Sequence, residues 1–185
     1  MVRYHDEEWG TPCHDDSELF ERLALESFQA GLSWSTILHK RDSFRAAFRG
    51  FDPSVVVAFD DDDRARLLAD AGIVRNRAKI DATITNAAAW LATGREFGSV
   101  DGYLARMVPG PAAPLSSDVG AGGIPGRTEA SDALSKDLRR RGFRFVGSTI
   151  VYALMQSIGL VDDHLATCFR HRAAPAPDSR AAREP

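Results

Sequence analysis

Leu25-Glu26-Ser27-Phe28-Gln29-Ala30-Gly31-Leu32-Ser33-Trp34 is the stretch that decides the fold. At about 100° per residue, Leu19, Leu23, Glu26 and Ala30 fall on one narrow stripe, the apolar face of a helix over 15–30. A carboxylate therefore stands where an apolar side chain is expected. Ionised and buried without partners it would be very costly, so Glu26 is either paired in the core or faces a cleft. Gly31 breaks the helix, and Ser33 is suited to cap a second one from Trp34 to Phe48. Trp34 is thereby set beside whatever Glu26 faces. A flat aromatic next to a buried acceptor suits a planar ligand that donates hydrogen bonds. A satisfied core glutamate beside a core tryptophan would give the same pattern.

Outward from this stretch, nearly everything has helical spacing. Asp52-Pro53 is an N-cap followed by proline, opening a short helix through Phe59. The acidic run from Asp60 puts negative charge at the start of a helix over 62–71, where the macrodipole favours it. Gly72 stops that helix, and the next spans 76–93 with apolar residues at Ile80, Ile84, Ala87, Ala88 and Leu91. Further helices are expected over 100–107, over 132–141 capped by Ser131, over 148–158, and for a turn or two over 161–170. The glycine- and proline-rich segment 109–127 is a long loop, and the polar tail 172–185 lacks the apolar content of a packed element. No strand pattern or repeat competes, so the expectation is one all-α domain over 1–171.

Composition narrows the function without naming it. A chain of 185 residues with 44% hydrophobic content supports a core of its own. No apolar run approaches the ~18 residues of a membrane helix. Two distant cysteines, Cys13 and Cys168, and no leader pattern point to a reducing cytoplasm. The net charge of −3 gives no general affinity for nucleic acid, so any such contact must be local. Two local patches qualify. Leu67 to Ile80 forms two helices across a glycine-centred turn, with Gly72, Ile73 and Val74 at the turn and Arg75, Arg77 and Lys79 after it. A helix starting there offers free N–H groups and a positive dipole end, which suits a phosphate. The second patch is Lys136, Arg139, Arg140, Arg141 and Arg144, which could equally be a solvated helix face.

Tyr4-His5-Asp6-Glu7-Glu8-Trp9-Gly10, the Glu26–Trp34 stretch, the hairpin, Ala130-Ser131-Asp132-Ala133-Leu134-Ser135-Lys136 and Arg141-Gly142-Phe143-Arg144-Phe145-Val146-Gly147-Ser148-Thr149 together resemble the DNA-3-methyladenine glycosylase I family. The resemblance runs from about Tyr4 to Cys168, in order and at the family's spacing. It implies an all-helical, helix–hairpin–helix fold with a zinc-binding corner joining the termini. It also implies a monofunctional glycosylase that releases 3-methyladenine from double-stranded alkylated DNA, working as a cytoplasmic monomer with no membrane contact.

Carried over by residue, the resemblance assigns Glu26 as the catalytic carboxylate and Tyr4, Trp9 and Trp34 as the base-binding wall. Gly72, Ile73, Val74, Arg75, Arg77 and Lys79 become the DNA clamp. His5, His164 and Cys168 become ligands of a structural zinc. The family's further ligand is a cysteine ahead of the Tyr-His-Asp block, which this sequence does not include, and Cys13 is a possible substitute. Related hairpin glycosylases carry a catalytic aspartate well beyond the hairpin glycine, where this chain reads Thr93-Gly94-Arg95. No lysine is expected at the pocket, so no strand nicking follows. Two other readings stay open: a DNA-binding module without catalysis, and a metal-dependent phosphohydrolase suggested by His5-Asp6 and Asp162-Asp163-His164.

Overall fold

The computed structural model describes residues 1–110 and 123–171, and every regular element among them is helical. In chain order these are α1 (Val2–Glu7), α2 (Asp16–Gln29), α3 (Trp34–Ala47), α4 (Pro53–Val56), α5 (Asp61–Ala69), α6 (Arg77–Phe97), α7 (Val100–Met107), α8 (Glu129–Arg140) and α9 (Ser148–Ser157). Most of the glycine-rich loop and the whole tail expected over 172–185 lie outside the described residues.

The caps decide where helices start. Asp15 accepts from the Glu18 N–H, Ser33 from Thr36, Asp52 from Ser54, and Asp60 from Asp62 and Asp63. Each side chain accepts from a backbone N–H that the helix cannot satisfy itself. Five elements differ from their sequence pattern. Helix α4 ends at Val56 and not at Phe59, because the Ala58 and Phe59 N–H groups close tighter three-residue turns on Val55 and Val56. Residues 2–7 form a helix that its pattern did not reveal. The helix α6 continues past Gly94 to Phe97 because an interior glycine costs only about 1 kcal/mol, and Gly98 at φ +87° provides the stop. Thr128, in a capping box with Ser131, starts α8 three residues early. Residues 161–170 form turns rather than a helix.

Helix α2 is the axis of the core. Leu19, Phe20, Leu23, Leu25 and Phe28 are buried along it, and it packs against α3, α6, α7 and α9. Phe28, Phe44, Phe48, Phe51 and Phe59 form a connected aromatic cluster at its C-terminal half. Along this largely apolar axis, Glu26 and, about one turn on, Gln29 face a cavity.

Candidate active site

Glu26 is 6% exposed, and no hydrogen bond reaches its carboxylate from any described residue. It opens onto a cavity of about 200 Å³ lined by Tyr4, Trp9, Gln29, Trp34, Ala153 and Gln156. Burial pushes its carboxyl up to about 8, an effect that Arg22 only partly offsets. The cleft alternative raised by the helical stripe is therefore the one realised. Tyr4 and Trp34 meet at a tilt, with ring centroids 5.3 Å apart. The Tyr4 phenol is held above its usual range, first by burial and then by the Glu26 charge.

Three contacts set the aromatic wall in place. The Tyr4 carbonyl accepts from Trp9 N–H at 2.8 Å, closing α1. Arg41 reaches Glu8 at 2.5 Å and Glu21 at 2.7 Å, tying the segment after α1 to α2 and α3. Arg22 donates to the Ser157 carbonyl at 2.5 Å, joining α2 to the end of α9. Gln156 and Ala153 come from α9, and the Gln156 amide is fixed by a 2.6 Å hydrogen bond to buried Asp163. Tyr152 holds the same Asp163 oxygen at 2.7 Å. Gln29, Ala153 and Gln156 escaped the sequence reading. Gln29 follows Glu26 by about one turn and was legible in principle. The α9 residues were not, because only tertiary packing brings them there.

His5, His164 and Cys168 converge beside this pocket, with one potential ligand atom from each lying within 4.8 Å of the others. His5 Nε2 is 3.5 Å from Cys168 Sγ. His5 Nδ1 is held by Asp6 at 2.8 Å and His164 Nδ1 by Asp162 at 2.7 Å, leaving both Nε2 atoms toward the group. His164 Nε2 is buried and has no hydrogen-bond partner among the described residues, and an orphaned buried nitrogen of this kind calls for a ligand. Each carboxylate fixes the orientation of its imidazole, the arrangement that outer supports take where histidines hold a metal. Gly10 makes room for the corner: at φ +74°, a Cβ there would lie 2.5 Å from His164 Cε1. Trp9 lines the pocket and also meets His164 edge-on at 4.6 Å, so the two sites share a wall. Cys13 takes no part. It is packed in the core, where burial pushes its thiol up to about 11.

The hairpin is the α5–α6 junction. Ile73 is buried and Val74 packs against the core, anchoring the turn. Gly72 is required by close packing, since a Cβ would lie 3.0 Å from Ser43. Its own N–H is committed to Asp70 Oδ1 at 2.7 Å and is not a free donor. Arg75 and Arg77 are exposed and form no ion pair among the described residues. Lys79 requires a correction. It is 6% exposed, and its ammonium donates to the carbonyls of Phe28 at 2.8 Å and Ala30 at 2.6 Å. A lysine held this way cannot contact phosphate. It caps the C-terminal end of α2 and pins the backbone on both sides of Gln29. A lysine thus does approach the pocket from behind, though it does not line the cavity.

The basic cluster also divides. Arg140 and Arg141 are paired with Asp137, and Arg141 also reaches Glu96 at 2.7 Å and stacks on Phe97 and Tyr103. Lys136, Arg139 and Arg144 are exposed and form no ion pair among the described residues.

Fold and cavity together define an all-helical protein in which a buried carboxylate faces an aromatic-walled cleft. Comparison with known proteins makes the class specific. Residues 1–171 match the methyladenine glycosylase family. The chain is 48% identical over 170 residues to DNA-3-methyladenine glycosylase 1 of Escherichia coli K12, covering 90% of this chain and 89% of that protein. It is 44% identical over 168 residues to the Haemophilus influenzae DNA-3-methyladenine glycosylase, covering 90% of each. Among solved structures, the Staphylococcus aureus 3-methyladenine DNA glycosylase I superposes with a TM-score of 0.88 at 35% identity, covering 94% of this chain and 92% of that one. A tyrosine-to-phenylalanine variant of a 3-methyladenine DNA glycosylase I, in complex with 3-methyladenine, superposes at 0.87 with 35% identity, covering 92% and 93%. The chain belongs to the methyladenine glycosylase family.

Proposed function

We propose that this enzyme hydrolyses the N-glycosidic bond of 3-methyladenine in alkylated duplex DNA, the first step of base excision repair. The observation that carries the reading is the unpaired, buried Glu26 carboxylate in an aromatic-walled cavity with room for one base. A base inside a duplex must be extruded before its glycosidic bond can be reached. Adenine methylated at N3 is a cation in DNA, so its bond to the sugar is already weak. The base leaves with the bonding pair as a neutral molecule and needs no proton, while water adds to C1′ and releases a proton to solvent. The protein's task is then to select the cation. Ionised Glu26 accepts from the amino edge, and Tyr4, Trp9 and Trp34 supply the π-faces.

The α5–α6 turn serves as a helix–hairpin–helix clamp, in which Arg75 and Arg77 and the unpaired N–H groups of the first α6 turn meet phosphate without reading sequence. The corner of His5, His164 and Cys168 is read as a structural zinc site, for which the imidazole and thiolate donors and the carboxylate supports are suited. Bound zinc would fasten the N-terminal segment to the 161–170 segment and stiffen Trp9. No helix among the described residues is long and apolar enough to cross a membrane. The enzyme is read as a cytoplasmic monomer, the location in keeping with its two free cysteines. The test is chromatography of bases released from methylated duplex DNA. Release of 3-methyladenine by the parent, lost in Glu26→Ala, supports the assignment, and absence of release by the folded parent overturns it.

A further inference from the structure

The loop between α8 and α9 contains a feature that the base pocket does not use. Phe145 has φ +51°, a left-handed backbone that bulky side chains rarely adopt. Three buried side chains hold it there. Ser27 of α2 donates to the Phe145 carbonyl at 3.1 Å. Asn86 of α6 accepts from the Arg144 N–H at 2.7 Å and donates to its carbonyl at 3.0 Å. Ser135 of α8 donates to the Val146 carbonyl at 2.6 Å. All three anchors are almost wholly buried, so the backbone on both sides of Phe145 is over-determined.

Phe51 gives the contrast. Its φ is +56°, but its ring is fully buried and stacked on Phe48 at 5.2 Å, so core packing explains it. The Phe145 side chain is 40% exposed, and burial does not explain its strain. Strain maintained by a rigid frame while an aromatic side chain faces solvent is the arrangement expected of a contact residue. Phe145 and Arg144 line an open groove of about 480 Å³ with Ala78, Asp81, Ala82 and Thr85 of α6. Arg144 is exposed and forms no ion pair among the described residues. The one acid in the groove, Asp81, is paired with Arg64 at 3.1 Å. The groove begins one residue from Arg77 of the hairpin, and its loop is anchored one residue from Glu26.

We infer that Phe145 is a DNA-contacting residue, its ring packing against a nucleotide beside the extruded base while Arg144 meets the neighbouring phosphate. This rests on the glycosylase reading and extends it to a second contact surface that continues from the hairpin along α6. The experiment compares Phe145→Ala, Phe145→Gly and Phe145→Tyr with the parent for affinity to an alkylated duplex, binding of free 3-methyladenine, and melting temperature. Both truncations should weaken duplex affinity about tenfold, and Phe145→Tyr should recover most of that loss. Free-base binding should be unchanged, because Phe145 does not line the cavity. Phe145→Gly should melt higher than Phe145→Ala, since glycine adopts this φ without strain. Parental duplex affinity in both truncations would overturn the inference, and so would an equal loss of free-base binding. If the parent releases no 3-methyladenine, the glycosylase reading fails, while the duplex affinities still decide the role of Phe145.

Discussion

Replacing Glu26 by glutamine separates its charge from its shape. Burial holds the Glu26 carboxyl at about 8, against an ordinary 4.5. The folded protein therefore binds this proton more tightly than the unfolded chain does. The resulting stabilisation is fully present below pH 4.5 and is lost as pH rises through 8. The loss amounts to roughly 3 kcal/mol by pH 7 and reaches its full value of about 5 kcal/mol above pH 9. Glutamine has no such proton, so Glu26→Gln should gain on the parent by that amount across the range. Urea denaturation at a series of pH values reads the difference directly. The same change removes the charge that holds a cationic base. Excision should weaken by about 1.5–3 kcal/mol, or roughly 10- to 150-fold. In the parent, kcat/KM should climb toward pH 8 and level off above it, whereas the variant should be flat. Stability curves of parent and variant that stay parallel from acid to alkali would refute the reasoning. Glu26 would then titrate like a solvated carboxylate and could not be the buried acceptor at the floor of the cleft.

Charge reversal at Arg75 or Arg77 should weaken binding about equally for unrelated duplexes and flatten its salt dependence; an effect confined to one sequence would mean base readout instead. Lys79→Met leaves the Phe28 and Ala30 carbonyls unpaired, which should cost about 1–3 kcal/mol in thermal melts and slow excision, yet leave the salt slope unchanged. A reduced slope would return Lys79 to the phosphate contacts. Purified protein should carry zinc, and chelation should lower its melting temperature and alter the fluorescence of Trp9, which lies 4.6 Å from His164. Asp162→Asn should weaken zinc binding about 10- to 100-fold by freeing the His164 ring. Metal-free protein whose melt ignores chelator would remove the site.

Much of the pocket was legible because it rests on local rules. A carboxylate on an apolar helical stripe, a glycine stop at Gly31 and a Ser33 cap place Glu26 and Trp34 within two turns of each other. Tyr4 and Trp9 came from the family resemblance and not from any pattern in the residues. Lys79 shows where local reasoning fails. Alternating with arginines after a hairpin glycine, it has the same sequence context as Arg75 and Arg77, yet the helix turns it inward by its position alone. An ammonium there finds two carbonyls that α2 cannot satisfy itself, and two charge-assisted hydrogen bonds offset its desolvation.

The sequence by itself determined the all-helical class, most helix boundaries, and the placing of Glu26 and Trp34 beside one another. These depend on caps, breakers and periodicity, which act within a few residues of chain. Tertiary structure alone decided that Glu26 has no hydrogen-bond partner among the described residues, that Gln156 and Ala153 complete its cavity, and that Trp9 is shared with the His5–His164–Cys168 corner. It likewise separated the structural cations Lys79, Arg140 and Arg141 from the free ones at Arg75, Arg77 and Arg144. Whether a polar side chain is a ligand group or a structural one depends on which donors and acceptors reach it through space, and helical periodicity carries no information about distant partners.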